Sequence, residues 1–128
     1  MRKFLLFILL SLGIAACSTP LPPGPTTGAF PSGTTIKDAE EILFDACARA
    51  KWQITDQENG VMGIVLDHKG YHFVADIAYT ARGYSIRFVE AEDPSKKVYS
   101  IYDRYAKKLA KTIQKTSINF GRRVDNSY

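Results

Sequence analysis

Apolar residues in this chain change their spacing twice, and that double switch most constrains the fold. Ile36, Ala39, Ile42, Leu43, Ala46, Cys47 and Ala50 recur at helical spacing. From Trp52 to Phe88 apolar positions alternate instead. Helical spacing returns with Val98, Ile101, Tyr102, Tyr105, Leu109, Thr112, Ile113 and Thr116. A helix repeats a face every three to four residues and a strand every second one, so the spacing predicts helix, strands, helix. Thr35 with Asp38 three residues on makes a capping-box-like start for the first helix. Asp38, Glu40 and Glu41 complement the dipole at that end, and Arg49 and Lys51 at the other. Cys47 lies in the apolar stripe and reads as a small core residue, not a reactive thiol.

Turn residues divide the alternating region into four strands. Trp52 and Ile54 share one face, and Glu58-Asn59-Gly60 supplies a turn. Val61–Asp67 is apolar on both faces, and His68-Lys69-Gly70 turns the chain again. Tyr71, Phe73, Ala75, Ile77 and Tyr79 form an inward row, with His72, Val74, Asp76 and Ala78 facing out. Ala81-Arg82-Gly83 leads into Tyr84, Ile86 and Phe88. If Tyr79 pairs with Tyr84, the register places Asp76 opposite Arg87 on the outer face. The order α-β-β-β-β-α predicts an α+β fold: a four-stranded antiparallel meander sheet with two helices packed on one face. The tyrosines fall mostly on inward rows, where they fill the sheet–helix interface and send hydroxyls to its rim.

The chain begins with Arg2 and Lys3, followed by an apolar run from Phe4 to Ala16 broken only by Ser11 and Gly13. That run is too short to span a bilayer comfortably and has the layout of a secretory signal. Its end, Ile14-Ala15-Ala16-Cys17, resembles the lipobox of bacterial lipoproteins. The resemblance implies a signal peptide over 1–16, cleavage before Cys17 and lipid (palmitate included) on that cysteine. Ser18 follows it. In enterobacterial lipoproteins an aspartate there favours inner-membrane retention, so serine implies the outer membrane. Residues 18–34 hold five of the six prolines and three glycines, too little apolar surface to fold. With Cys17 they read as a tether over 17–34, reaching on the order of 50 Å at ~3.1 Å per residue. The α+β domain then occupies 35–120, with a frayed tail over 121–128.

Composition excludes several function classes. Without Arg2 and Lys3 the basic count falls from 17 to 15 against 13 acids, a balance that gives no case for nucleic acid. With Cys17 acylated, Cys47 has no disulfide partner. No serine lies in a Gly-x-Ser-x-Gly turn, and Gly60 and Gly63 do not make a phosphate loop. No catalytic residue and no cofactor is nominated, and the expectation is that the protein is not an enzyme. His68 and His72 would share a helix face, but a predicted hairpin turn separates them, so no metal site is assigned.

Two surfaces remain as binding candidates. The outer sheet face carries Val61, Val65, Val74, Ala78 and Val89 around the Asp76–Arg87 pair. An exposed ion pair of this kind supplies register and solubility, about 0.2–1 kcal/mol, whereas the surrounding valines suit a docking partner. The last helix is lopsided: nine basic residues and one acid lie between Lys96 and Arg123. Arg104, Lys108, Lys111 and Lys115 cluster on one side. Solvation explains such a face, and so does attraction to anionic lipid headgroups, lipopolysaccharide phosphates or peptidoglycan carboxylates.

Tyr84-Ser85-Ile86-Arg87-Phe88, with Val98-Tyr99, Tyr102-Asp103-Arg104-Tyr105 and Leu109, resembles a family of small uncharacterised bacterial lipoproteins. Its members carry a Tyr-Ser-Ile-Arg-Tyr strand and an Ile-His-x-x-Tyr-Asn-x-Trp-x-x-x-Leu helix. The match extends over roughly residues 36–113, with His72 and Ile77-x-Tyr79 upstream. Phe88, Tyr99, Asp103 and Tyr105 depart from it, and the family's Ser-x-Asn-Leu-x-Tyr segment is absent. The resemblance implies a fold and a compartment but no activity. The expectation is an outer-membrane lipoprotein facing the periplasm: a membrane-anchored, non-catalytic binding or scaffolding module for an envelope protein. The alternatives are a binder of anionic lipid or cell-wall polymer through the last helix, and a small-ligand or metal-binding protein using the His68–His72 turn.

Overall fold

A computed structural model describes residues 20–126. The elements run β1 (Thr26–Ala29), α1 (Ile36–Arg49), β2 (Gln53–Glu58), β3 (Val61–His68), β4 (Tyr71–Tyr79), β5 (Gly83–Ala91) and α2 (Lys96–Asn126). The class is α+β. The sheet is antiparallel throughout, with strand order β1-β5-β4-β3-β2.

The sheet therefore has five strands, not four. The added strand lies in the stretch expected to be tether, where Thr26-Thr27-Gly28-Ala29 pairs with Ile86, Ser85, Tyr84 and Gly83. Its sequence shows no apolar alternation because backbone pairing and one anchor hold it. Phe30, only 7% exposed, packs against Tyr84 with ring centroids 5.4 Å apart. Gly28 is required there: a Cβ would run into the Tyr84 ring. Pro25 and Pro31 bound the strand, as suits a sheet edge. At the other end of the chain α2 continues to Asn126, so residues 121–126 are helical instead of frayed.

Local chemistry accounts for the remaining elements. The Thr35 side chain accepts from the Asp38 backbone N–H, and the Asp38 carboxylate accepts from that of Thr35, completing the capping box. Asn59-Gly60 and Lys69-Gly70 adopt positive φ at both positions, the twist a two-residue hairpin needs. Both helices cover one face of the sheet. Ile42, Leu43 and Cys47 of α1 and Tyr102, Leu109 and Ile113 of α2 bury against Met62, Ile64, Phe73, Ile77 and Ile86. Tyr102 lies at the middle of an edge-to-face cluster with Phe88 (4.9 Å), Phe73 (5.6 Å) and Trp52 (6.5 Å). Among the described residues no helix lies over the opposite face of the sheet.

Candidate functional site

The register across the uncovered face follows the turn geometry. Tyr79 pairs with Tyr84, so Asp76 stands opposite Arg87, as the sequence predicts. Arg87 Nε donates to Asp76 Oδ1 at 2.6 Å, with the side chains 47% and 25% exposed respectively. On one side of this pair Val61 neighbours Ala78, and on the other Val65 neighbours Val74. A bulge between Val74 and Ala75 inserts Val89 as an extra residue, 49% exposed at the rim. Val74, Asp76, Ala78, Arg87 and Val89 thus share one surface.

Gly63 belongs to this surface and was not legible as such. It sits between Asp76 on β4 and Asp56 on β2, and a Cβ there would collide with the Asp56 carboxylate. The missing side chain leaves a shallow depression of about 360 Å³, rimmed by Asp56, Glu58, Asp76 and Val89 and floored by Val61 and Val74. Asp76 is neutralised by Arg87. Among the described residues Asp56 accepts a hydrogen bond from the Thr55 hydroxyl and has no cationic partner, so the dip is acidic at its edge strand.

Arg104, Lys108, Lys111 and Lys115 are all exposed on α2. None of the four forms an ion pair among the described residues, and Asp103, the one acid between Lys96 and Arg123, is paired with Lys107 at 2.8 Å. Cys17 lies outside the described residues. No helix among the described residues is long and apolar enough to cross a membrane.

The two histidines are divided by the pleat. His68 ends β3 on the helix-covered face, edge-on to Tyr105 at 5.6 Å. His72 is on the uncovered face, its Nδ1 2.5 Å from Asp67 Oδ1. That hydrogen bond raises the His72 pKa above its ordinary value; desolvation opposes it, and the Asp67, Glu92 and Glu90 charges add to the rise. Among the described residues no group of three or more His, Cys, Asp or Glu is placed to hold a metal ion. Cys47 is fully buried, and desolvation pushes its thiol up to about 12, which leaves it unreactive at neutral pH.

One polar cluster joins three elements at the rim of the core. The Tyr79 hydroxyl donates to Glu40 Oε2 (2.7 Å) while Gln57 Nε2 donates to both Tyr79 (2.8 Å) and Glu40 (2.9 Å). Burial, then the bond to Glu40, raises the Tyr79 pKa, so the phenol stays protonated and holds α1 to the end of β4. Its members are mutually satisfied, which marks a structural clamp instead of a reactive site. No protein-family model matches the chain, and no curated protein matches it in sequence.

Proposed function

We propose that this chain is a lipid-anchored envelope protein, attached through Cys17 to the outer membrane on its periplasmic side, and that its domain is a non-catalytic docking module. Its partner is an envelope protein that seats on the uncovered sheet face around Val74, Asp76, Ala78, Arg87 and Val89. The observation that carries this reading is the face itself: valines interleaved with a central charged pair, and a dip at Gly63 that a partner side chain can enter. Asp56 and Glu58 at that dip favour a lysine or arginine on the partner. Cross-linking and pull-down of the full-length, membrane-anchored protein test it. The Asp76→Ala/Arg87→Ala double variant should lose one specific envelope protein that the unaltered chain captures. Identical captures from both would sink the reading.

A second reading is favoured by the unpaired cations of α2: attraction to anionic lipid or cell-wall polymer through Arg104, Lys108, Lys111 and Lys115. Such binding falls with salt, because exposed charges are screened within about 10 Å at 0.1 M. Replacing Lys108, Lys111 and Lys115 by glutamine should weaken binding to anionic vesicles or to sacculi. Unchanged binding removes this surface from consideration.

A further inference from the structure

Away from the uncovered sheet face, the C-terminal end of α1, the end of β3 and the middle of α2 enclose a cavity of about 280 Å³. Arg49 lines it from the last turn of α1, Lys51 from just past the α1 cap, His68 from β3 and Lys108 from α2, with Trp52 and Tyr105 as aromatic walls. Among the described residues no carboxylate lines it. Arg49 meets Asp45 through Nε alone, at 3.2 Å.

Lys51 is the informative residue. The α1 end closes as a Schellman motif, with Trp52 N–H donating to the Cys47 carbonyl (2.9 Å) and Lys51 N–H to that of Ala48 (3.3 Å). Lys51 therefore occupies the left-handed position, at φ +68°, where glycine is the unstrained residue. Complementing the helix dipole accounts for Arg49, but it does not call for a lysine in strained backbone, nor for Lys108 brought in from another helix. Three basic side chains, from the last turn of α1, the residue past its cap and the middle of α2, line a cavity with no carboxylate among its described lining residues, and they suit a dianion better than a single carboxylate. A phosphate monoester carries close to two negative charges at neutral pH and offers three acceptor oxygens to such donors.

We infer that this cavity binds a phosphate-monoester group, held by Arg49, Lys51 and Lys108. The group is carried either on a lipid or on a free small molecule. The site is independent of the docking face, and neither requires the other.

Equilibrium dialysis of the full chain in non-ionic detergent micelles, with inorganic phosphate at low salt, tests the site. Lys51→Gly relieves the backbone strain, so its melting temperature should equal or exceed that of the unaltered chain. Its phosphate affinity should nevertheless fall about tenfold, the size of one lost charge-assisted hydrogen bond. Lys108→Gln should act likewise, whereas Lys37→Gln, at the far end of α1 and outside the cavity lining, should not. A second arm compares phosphatidylcholine vesicles with and without phosphatidic acid. Tighter association with phosphatidic acid, competed by free phosphate, identifies a lipid headgroup as the source. Phosphate binding with no gain from phosphatidic acid identifies a free phosphorylated molecule. Absence of phosphate binding, or binding that Lys51→Gly leaves unchanged, overturns the assignment.

Discussion

Tyr102 shows how a residue can be legible in position and not in chemistry. The helical spacing places it inward, and it is 1% exposed at the centre of the aromatic cluster. The expectation that tyrosine hydroxyls reach the rim holds for Tyr79, whose phenol meets Gln57 and Glu40. It fails for Tyr102, whose buried hydroxyl has no hydrogen-bond partner among the described residues. Burial raises its pKa, so the group is a neutral, unsatisfied phenol. Such an orphaned donor costs about 1–3 kcal/mol, while the ring supplies the packing. Tyr102→Phe is thus expected to leave stability unchanged or raise it by about 1 kcal/mol in chemical denaturation. Tyr102→Ala, which empties the cluster, should lose about 3–5 kcal/mol. A marked loss in the phenylalanine variant would mean that the hydroxyl has a partner in solution, which is how a ligand-facing role for this tyrosine would first show itself.

Among the elements, β1 separates what periodicity reports from what it cannot. Strands β3, β4 and β5 and both helices are legible because each buries one face of its own, and a buried face imposes a repeat; β2, exposed except for half-buried Ile54, is legible from buried Trp52 before it and the Asn59-Gly60 turn after it. Thr26–Ala29 buries almost nothing of its own and is held by the ladder to β5 and by Phe30. The one available signal was Phe30, the only aromatic residue between Ser18 and Thr34. Phe30→Ala should cost about 3 kcal/mol, at the lower end for a buried aromatic because the site is at an edge. Native-state hydrogen exchange should show the loss first at Ser85 and Tyr84, beside Thr27 and Gly28. Protection there equal to that of the unaltered chain would show that β1 docks without its anchor. The same distinction governs the sites. The Asp76–Arg87 pair was legible because register is a local consequence of the turn, whereas the convergence of Lys51, His68 and Lys108 depends on how α1 and α2 settle on the sheet. Sequence spacing carries no information about that settling.

For the molecule as a whole, β1 changes where the domain stands relative to a lipid anchor. A tether running to Thr35 would let the domain float tens of ångströms away. With pairing already begun at Thr26, eight residues (18–25) separate it from Cys17, roughly 28 Å at full extension. Pro20, Leu21 and Pro23 moreover share a shallow cavity with Lys96, Tyr99, Ser100 and Asp103 at the start of α2. Only Ser18 and Thr19 then lie between that contact and Cys17, roughly 10 Å of extended chain. On the proposed lipidation, the first turns of α2 with Lys96 and Lys97 stand next to the bilayer, and the Arg82 turn at the opposite end of β5 points away. Single labels at Ser100→Cys and Arg82→Cys test this, since both positions are exposed and the native Cys47 thiol is buried and unreactive. Quencher-bearing lipids should quench the Ser100 label strongly and the Arg82 label weakly. A flexible Gly/Ser spacer of about 20 residues inserted before Pro20 adds a root-mean-square reach of roughly 25 Å and should abolish the difference. Equal quenching without the spacer would show that the proline segment leaves α2, freeing the domain to the full reach of its tether. Strong quenching of Ser100 alone would place the basic helix at the lipid surface and leave the uncovered sheet face free to receive a partner from the periplasm.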